Sequence, residues 1–161
     1  MSETWIIGYD FSQCSETALD FAAEELSQTG GGKLILVHVY RRPHKQVGFE
    51  LSQLSRAIKP LDDAEQILRE VIEGRLQKVA VRTKEKFPVL EITVRLEEGH
   101  AATRVAQVCT EENAKICVMG THGHRGLKRV FLGSVTQQVL TLSPCPVLVV
   151  RRDETDDSTT P

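Results

Sequence analysis

Five short runs of branched and apolar residues alternate along this chain with stretches whose apolar residues recur at helical spacing, and that alternation restricts the fold more than any other feature. Trp5-Ile6-Ile7-Gly8-Tyr9 is the first run, closed by Asp10, and Leu34-Ile35-Leu36-Val37-His38-Val39 is the second. Ile116-Cys117-Val118-Met119 and Pro146-Val147-Leu148-Val149-Val150 are the last two. Runs this apolar read as strands covered on both faces, as in a parallel sheet. Glu91-Ile92-Thr93-Val94-Arg95-Leu96 differs: it alternates with a period of two and reads as a strand with one wetter face, near a sheet edge.

The intervening stretches supply helices. Ser12 or Ser15 caps a first helix carrying Ala18, Leu19, Ala22, Ala23 and Leu26, which Gly30-Gly31-Gly32 ends. After Pro60 a long helix follows, with Leu61, Ala64, Leu68, Val71, Ile72 and Val79 as its apolar stripe, until Phe87-Pro88 stops it. Gly74 inside it costs about 1 kcal/mol of helix propensity relative to alanine. Ala102, Val105, Ala106 and Cys109 mark a third helix, and a short fourth runs from Ser134 to Leu142, where Ser143-Pro144 stops it. The Tyr40–Pro60 stretch reads as a long connection, and Arg151–Pro161 as a polar, frayed tail.

Strand and helix in this order predict a single-domain, doubly wound five-stranded parallel sheet with helices on both faces, over residues 1–150, followed by a flexible tail at 151–161. Ligands of such sheets bind at the carboxyl ends of the strands, where the winding direction reverses. Chemistry is therefore expected just after Tyr9, Val39, Leu96 and Met119.

Charge narrows the partners. The 20 Lys+Arg against 22 Asp+Glu leave a formal charge of −2, which argues against a globally basic nucleic-acid binder. Cys14, Cys109, Cys117 and Cys145 form no Cys-x-x-Cys pair, so neither a zinc ribbon nor a thioredoxin-like motif is present. Cys109, Cys117 and Cys145 fall on apolar faces and read as inert buried thiols; Cys14 stands near a helix start. The acidic start lacks an apolar signal core, and no run is long enough to span a bilayer, so a cytoplasmic protein without a membrane partner is expected.

One segment stands apart: Gly120-Thr121-His122-Gly123-His124-Arg125-Gly126-Leu127-Lys128-Arg129-Val130-Phe131-Leu132-Gly133-Ser134-Val135-Thr136. Glycines let backbone N–H groups approach an anion without a side chain in the way. A helix mouth at Gly133-Ser134 adds unsatisfied donors and the positive end of a dipole. Arg125, Lys128 and Arg129 bring three positive charges. The plainer reading is that the glycines only turn the chain and the cations form a solvated surface. No Gly-Lys-Ser/Thr ending exists, so this is not a Walker A loop, and Gly-x-x-Gly is not the dinucleotide-binding spacing. His122 and His124 have no carboxylate or cysteine at metal-ligand spacing, so no metal site is expected. Gly133-Ser134-Val135 is not a hydrolase elbow, and the strand ends lack the acidic set of a response regulator.

Gly120-x2-Gly123-x9-Gly133-Ser134 resembles the nucleotide-binding motif of the universal stress protein family, Gly-x2-Gly-x9-Gly-Ser/Thr. Tyr9-Asp10-Phe11-Ser12, His38-Val39, Val118-Met119-Gly120 and Ser143 to Val150 are similar to that family's strand ends, in order. The resemblance implies an adenine nucleotide alpha hydrolase-like fold and a bound adenine nucleotide, ATP or AMP, with magnesium accompanying ATP. It implies that Asp10 lies beside adenine and that Val39 contacts it through its backbone. Gly120, Gly123 and Gly133 would line ribose and phosphates, while Ser134, Val135 and Thr136 present hydroxyls and N–H groups to the phosphates. His122 would reach the ribose or a phosphate. The implied role is a regulatory, stress-response homodimer joined through Val147–Val150, with no catalytic residue assigned. A slow ATPase or self-phosphorylating protein, and an interaction module that binds no nucleotide, are the competing functions.

Overall fold

A computed structural model describes residues 3–41, 59–121 and 132–151. The elements are β1 (Glu3–Gly8), α1 (Gln13–Gln28), β2 (Gly32–Tyr40), α2 (Lys59–Lys86), β3 (Glu91–Glu98), α3 (Ala101–Glu111), β4 (Ile116–Gly120), α4 (Ser134–Leu142) and β5 (Val147–Val150). The strands form one sheet in the order β3-β2-β1-β4-β5, every neighbouring pair parallel. From β1 the chain steps outward through β2 to β3, then returns to the other side of β1 and steps outward again to β5. The sheet is therefore doubly wound, as the alternating pattern predicts, with the winding reversing between β1 and β4.

The period-two alternation of strand side chains divides the core. Ile7, Leu34, Leu36 and Val118 point to one face and are covered by Ala18, Leu19, Ala22, Ala23 and Leu26 of α1 and Leu76 of α2. Ile6, Ile35, Val37, Cys117 and Met119 point to the other, under Ala102, Val105, Val108 and Cys109 of α3 and Val139 of α4. All of these residues are at most a few per cent exposed except Met119, at 6%. Burial on both faces is what makes the strand runs uninterruptedly apolar.

The expected wet face of β3 lies on the α3 side of this edge strand. There Arg95 pairs with Glu97, Glu111 and Glu112, and Arg104 of α3 also pairs with Glu97. Burial alone raises the pKa of the Glu97 carboxyl, but its hydrogen bonds from Arg104 and Arg95 outweigh that and hold it below its ordinary value. The hydrogen bond from Lys33 likewise holds Glu112 down, against burial and with help from Arg95.

The α2 stripe needs correction. Leu68 and Val71 are 37% and 55% exposed, whereas Leu76, Ala80 and Thr83 are the buried residues; Leu61 and Ala64 lie outside the described side chains. The reason is length. A 28-residue helix runs about 42 Å, while the nine-residue β2 spans about 30 Å. The first turns of α2 therefore pass the carboxyl end of the sheet, where Arg69 lies 6.0 Å from the ring of Tyr40, the last residue of β2. Gly74 faces open space, with nothing near the position of a Cβ, so no packing offsets its helix cost.

Helix α1 ends as expected. Gly30 and Gly31 have φ of 100° and 99°, and Gly31 N–H donates to Leu26 O at 3.1 Å. The left-handed backbone that closes the helix is open to glycine at little cost.

Candidate functional site

The site is built where β1 and β4 end side by side, with Gly8 opposite Met119. Past β1, Tyr9 N–H gives the last ladder bond of that strand, to Val37 O at 2.9 Å. The chain then turns through Phe11 in the left-handed region, φ 64°. A phenylalanine there is strained by about 1–3 kcal/mol. Its ring is held at 5.3 Å from Tyr9, 4.9 Å from His38 and 4.2 Å from the Arg75 guanidinium of α2.

The turn serves as the cap of α1. Of the two candidate serines, Ser12 is the N-cap, its hydroxyl accepting from Ser15 N–H at 3.2 Å. Asp10 Oδ1 accepts from Ser12 N–H at 3.0 Å, and Ser15 Oγ accepts from Asp10 N–H at 3.3 Å. Asp10 is thus brought to the crevice, with its carboxylate anchored by the first turn of α1. Tyr9 is buried and bonds Glu16, which also pairs with Arg82 of α2. Burial, then the Glu16 carboxylate, push the tyrosine pKa up, so the phenol stays neutral.

Val39 faces the same gap through its backbone. Val37 O bonds toward β1, and Tyr40 O accepts from Gly99 N–H on the β3 side at 3.0 Å. The alternation of a parallel ladder turns Val39 N–H and C=O toward β1, at a level where the β1 chain has already left for α1. Its side chain packs on the α3/α4 face. His38 is a satisfied rim histidine: its Nδ1–H donates to Tyr9 O at 2.8 Å.

Across the gap, Gly120 is buried, and a Cβ there would stand 2.8 Å from the backbone C and O of Cys14. The missing side chain lets the first turn of α1 lie directly against the end of β4. Thr121 continues the tie, with N–H to Val150 O at 3.2 Å and its hydroxyl 4.0 Å from Cys14 Sγ. The return of the glycine segment is pinned to its start: Gly133 N–H donates to Thr121 O at 2.8 Å, and Thr136 Oγ1 donates to Gly120 O at 2.9 Å. The end of β4 and the start of α4 are therefore held directly together.

Thr136 takes a different task from the one expected. It is 4% exposed, and its hydroxyl is taken up by Gly120 O, tying α4 to the end of β4. Ser134 and Val135 are exposed at the helix mouth. Gly133 is the N-cap of α4 and supplies no side-chain cap, and the first intrahelical bond is Gln137 N–H to Gly133 O, at 3.0 Å. The N–H groups of Ser134, Val135 and Thr136 consequently have no acceptor within the helix. His122, Gly123, Arg125, Lys128 and Arg129 lie outside the described residues, as does the tail beyond 151.

The site brings together Asp10, Val39, Gly120, Gly133, Ser134 and Val135. Sequence reasoning missed Phe11, whose left-handed backbone has no composition signal, and the Cys14–Gly120 contact, which depends on helix placement. Among the described residues no group of three His, Cys, Asp or Glu side chains could hold a metal ion, and no helix is long and apolar enough to cross a membrane.

A doubly wound α/β domain with an uncapped helix mouth at its reversal point defines the class. The family model described as the universal stress protein family matches residues 1–151, and the chain belongs to that family. A universal stress protein of Thermus aquaticus is 31% identical over 151 residues, 94% of this chain and all of that one. YxiE of Bacillus subtilis is 32% identical over 155 residues, 94% of this chain and all of its own. Among solved structures, MJ0577 of Methanocaldococcus jannaschii superposes with a TM-score of 0.73 at 23% identity, covering 96% of this chain and 99% of that one. An Arabidopsis thaliana family protein with AMP bound gives 0.60 at 15% identity, covering 94% and 93%. A universal stress protein in complex with cAMP gives 0.57 at 23%, covering 94% and 98%. These likenesses establish the fold.

Proposed function

We propose that this chain binds an adenine nucleotide, ATP or AMP, at the crevice between β1 and β4, and acts as a regulatory homodimer. The observation that carries the reading is the mouth of α4. Three N–H groups without intrahelical acceptors stand there at the positive end of a helix, beside the pinned ends of a glycine segment. Phosphates suit that arrangement, and the Gly-x2-Gly-x9-Gly-Ser motif supplies the spacing. In this reading Gly120, Gly123 and Gly133 line ribose and phosphates, Ser134 and Val135 donate to phosphates, and His122 reaches the ribose or a phosphate. The turn at Asp10 and the backbone of Val39 border the adenine. Two family structures, one with AMP and one with cAMP, lend support on the ligand class.

The test is equilibrium dialysis of the whole chain against ATP and AMP, with and without magnesium. Saturable uptake of one nucleotide per chain is expected; no uptake at millimolar concentration would overturn the reading and leave a nucleotide-independent interaction module.

The homodimer is proposed through β5. Among the described residues no strand pairs with the outer side of this edge strand, and Val147, Leu148 and Val149 are only half-buried. An apolar edge of this kind invites pairing with its own copy. Sedimentation at micromolar concentration should give a dimer, and Val149→Lys should give a monomer.

A further inference from the structure

Phe11 carries a left-handed backbone, φ 64°, in the turn that leaves β1. Among the described residues the other positive φ values belong to Asn113 and to Gly30, Gly31 and Gly99. Glycine and asparagine enter that region at little cost, and a phenylalanine does not. What the position gains is therefore the ring. The ring stands edge-on to Tyr9, 5.3 Å between centroids, and tilted against His38 at 4.9 Å. Each neighbour immediately precedes a residue of the crevice: Tyr9 precedes Asp10, and His38 precedes Val39. The same two residues are joined by the His38 Nδ1–H bond to Tyr9 O at 2.8 Å. Phe11 thus packs across the seam between the ends of β1 and β2, on the α1/α2 side of the sheet.

Helix α2 braces this seam at two levels. Arg75 lays its guanidinium 4.2 Å from the centroid of the Phe11 ring, where the quadrupole of the ring attracts it. Arg82, about two helical turns further on and so along the same side of α2, pairs with Glu16, which bonds Tyr9. Arg75 is exposed and Phe11 is half-buried, so their contact is made at the surface, where it fixes the orientation of the ring more than it stabilises the fold. The hydrogen bonds of the turn do not need the ring: Asp10 N–H donates to Ser15 Oγ at 3.3 Å, and Ser12 N–H to Asp10 Oδ1 at 3.0 Å. A glycine at position 11 would keep both and lose only the packing across the seam.

We propose that Phe11 is a positioning residue that sets the spacing between the two edges of the base slot, Asp10 on the β1 side and Val39 on the β2 side, and that Arg75 holds its ring in place. This role rests on the nucleotide reading above and adds which part of the ligand depends on the seam: the base, not the phosphates. A base gripped from two strand ends is held well only while their separation is fixed. The phosphate side is built from other elements, the end of β4 and the mouth of α4, tied by Gly133 N–H to Thr121 O and by Thr136 Oγ1 to Gly120 O. Loosening the seam therefore weakens the preference for adenine and leaves the phosphate cradle as it was.

Three variants of the whole chain test this. Phe11→Gly removes the ring and suits the left-handed backbone, Arg75→Gln removes only the exposed cation, and Arg75→Lys restores a cation. Affinities for ATP and CTP are measured by titration calorimetry, beside the urea midpoint and the amide hydrogen exchange of the ligand-free chain. Phe11→Gly should weaken ATP about tenfold or more and leave CTP unchanged, so the preference for adenine falls by the same factor. Arg75→Gln should weaken ATP about threefold, and Arg75→Lys should regain most of the loss. Without nucleotide, the amides of Asp10 and Ser12 should exchange faster in Phe11→Gly and Arg75→Gln, while Val118 in the middle of β4 keeps the wild-type rate. A merely structural role would lower ATP and CTP affinity by one factor, in step with the urea midpoint. That result, or unchanged ATP affinity in Phe11→Gly and Arg75→Gln, would overturn the positioning role and leave nucleotide binding standing. A wild type that takes up no ATP would overturn nucleotide binding itself, and the positioning role with it.

Discussion

Helices α1 and α4 both begin at the reversal point between β1 and β4, yet α1 is closed by its own side chains and α4 is not. The first turn of α1 is answered by Ser12, with Asp10 and Ser15 bonded around it. The first turn of α4 follows Gly133, which has no side chain to offer. Burial divides them too: Ser12 and Ser15 are 7% and 3% exposed, whereas Ser134 and Val135 are exposed. A helix amino end that satisfies its own donors is a structural joint. One that leaves them for something else is where an anion belongs. The comparison also explains the division of glycines: Gly120 makes room for the protein's own backbone at Cys14, and Gly133 brings no side-chain cap to α4.

The largest expected effect comes from joining the two junctions too tightly. Gly120→Val forces a side chain into the Cys14 backbone and should cost about 3 kcal/mol or more, read as a lowered urea midpoint. An unchanged midpoint would mean that α1 does not rest on β4 as described. Uncapping α1 comes next. Ser12→Ala should lower stability by about 1 kcal/mol while leaving nucleotide uptake intact, because only the structural joint is touched.

The smallest effect should come from outside both junctions, in the ion-pair network between β3 and α3. Glu97 and Glu112 have folded pKa values below the ordinary 4.5, so their contribution is fully present above that pH. It is lost as pH falls below 4.5 through the folded values. Urea midpoints should therefore drop on acidification, and Glu97→Gln should flatten the drop while costing about 0.5 kcal/mol at neutral pH. A chain whose acid response is the same with and without Glu97 would place the sensitive carboxylates elsewhere.

Much of this fold is legible because its signals are local. Branched apolar runs mark strands, Gly30-Gly31 marks the end of α1, and the period-two pattern of Glu91–Leu96 marks the charged edge. The failures share one cause: contacts set by where elements land. Leu68 and Val71 continue the helical stripe of α2, but the helix outruns the sheet beneath it. Thr136 looks like a phosphate-facing hydroxyl until the packing of α4 turns it to Gly120 O. The meeting of Phe11 with His38 and Arg75 depends on where β2 and α2 lie beside the β1 turn, which no spacing encodes. For the site, the helix mouth at Gly133-Ser134 was legible, and the anchoring of Asp10 by Ser12 was not.

The central claim is that the uncapped mouth of α4 holds the nucleotide's phosphates. Gly133 has φ −58° and ψ 146°, a backbone that any residue adopts, so Gly133→Asp brings no backbone strain. An aspartate N-cap would accept from the N–H of Val135 or Thr136 and give α4 the kind of cap that α1 already has. It would also place a negative charge where a phosphate is expected. The measurement is ATP and AMP affinity together with the thermal midpoint, for wild type and Gly133→Asp. The account predicts a midpoint equal to or above that of the wild type and an affinity weakened at least about tenfold, near 1.4 kcal/mol. Unchanged affinity in a stably folded Gly133→Asp chain would contradict it.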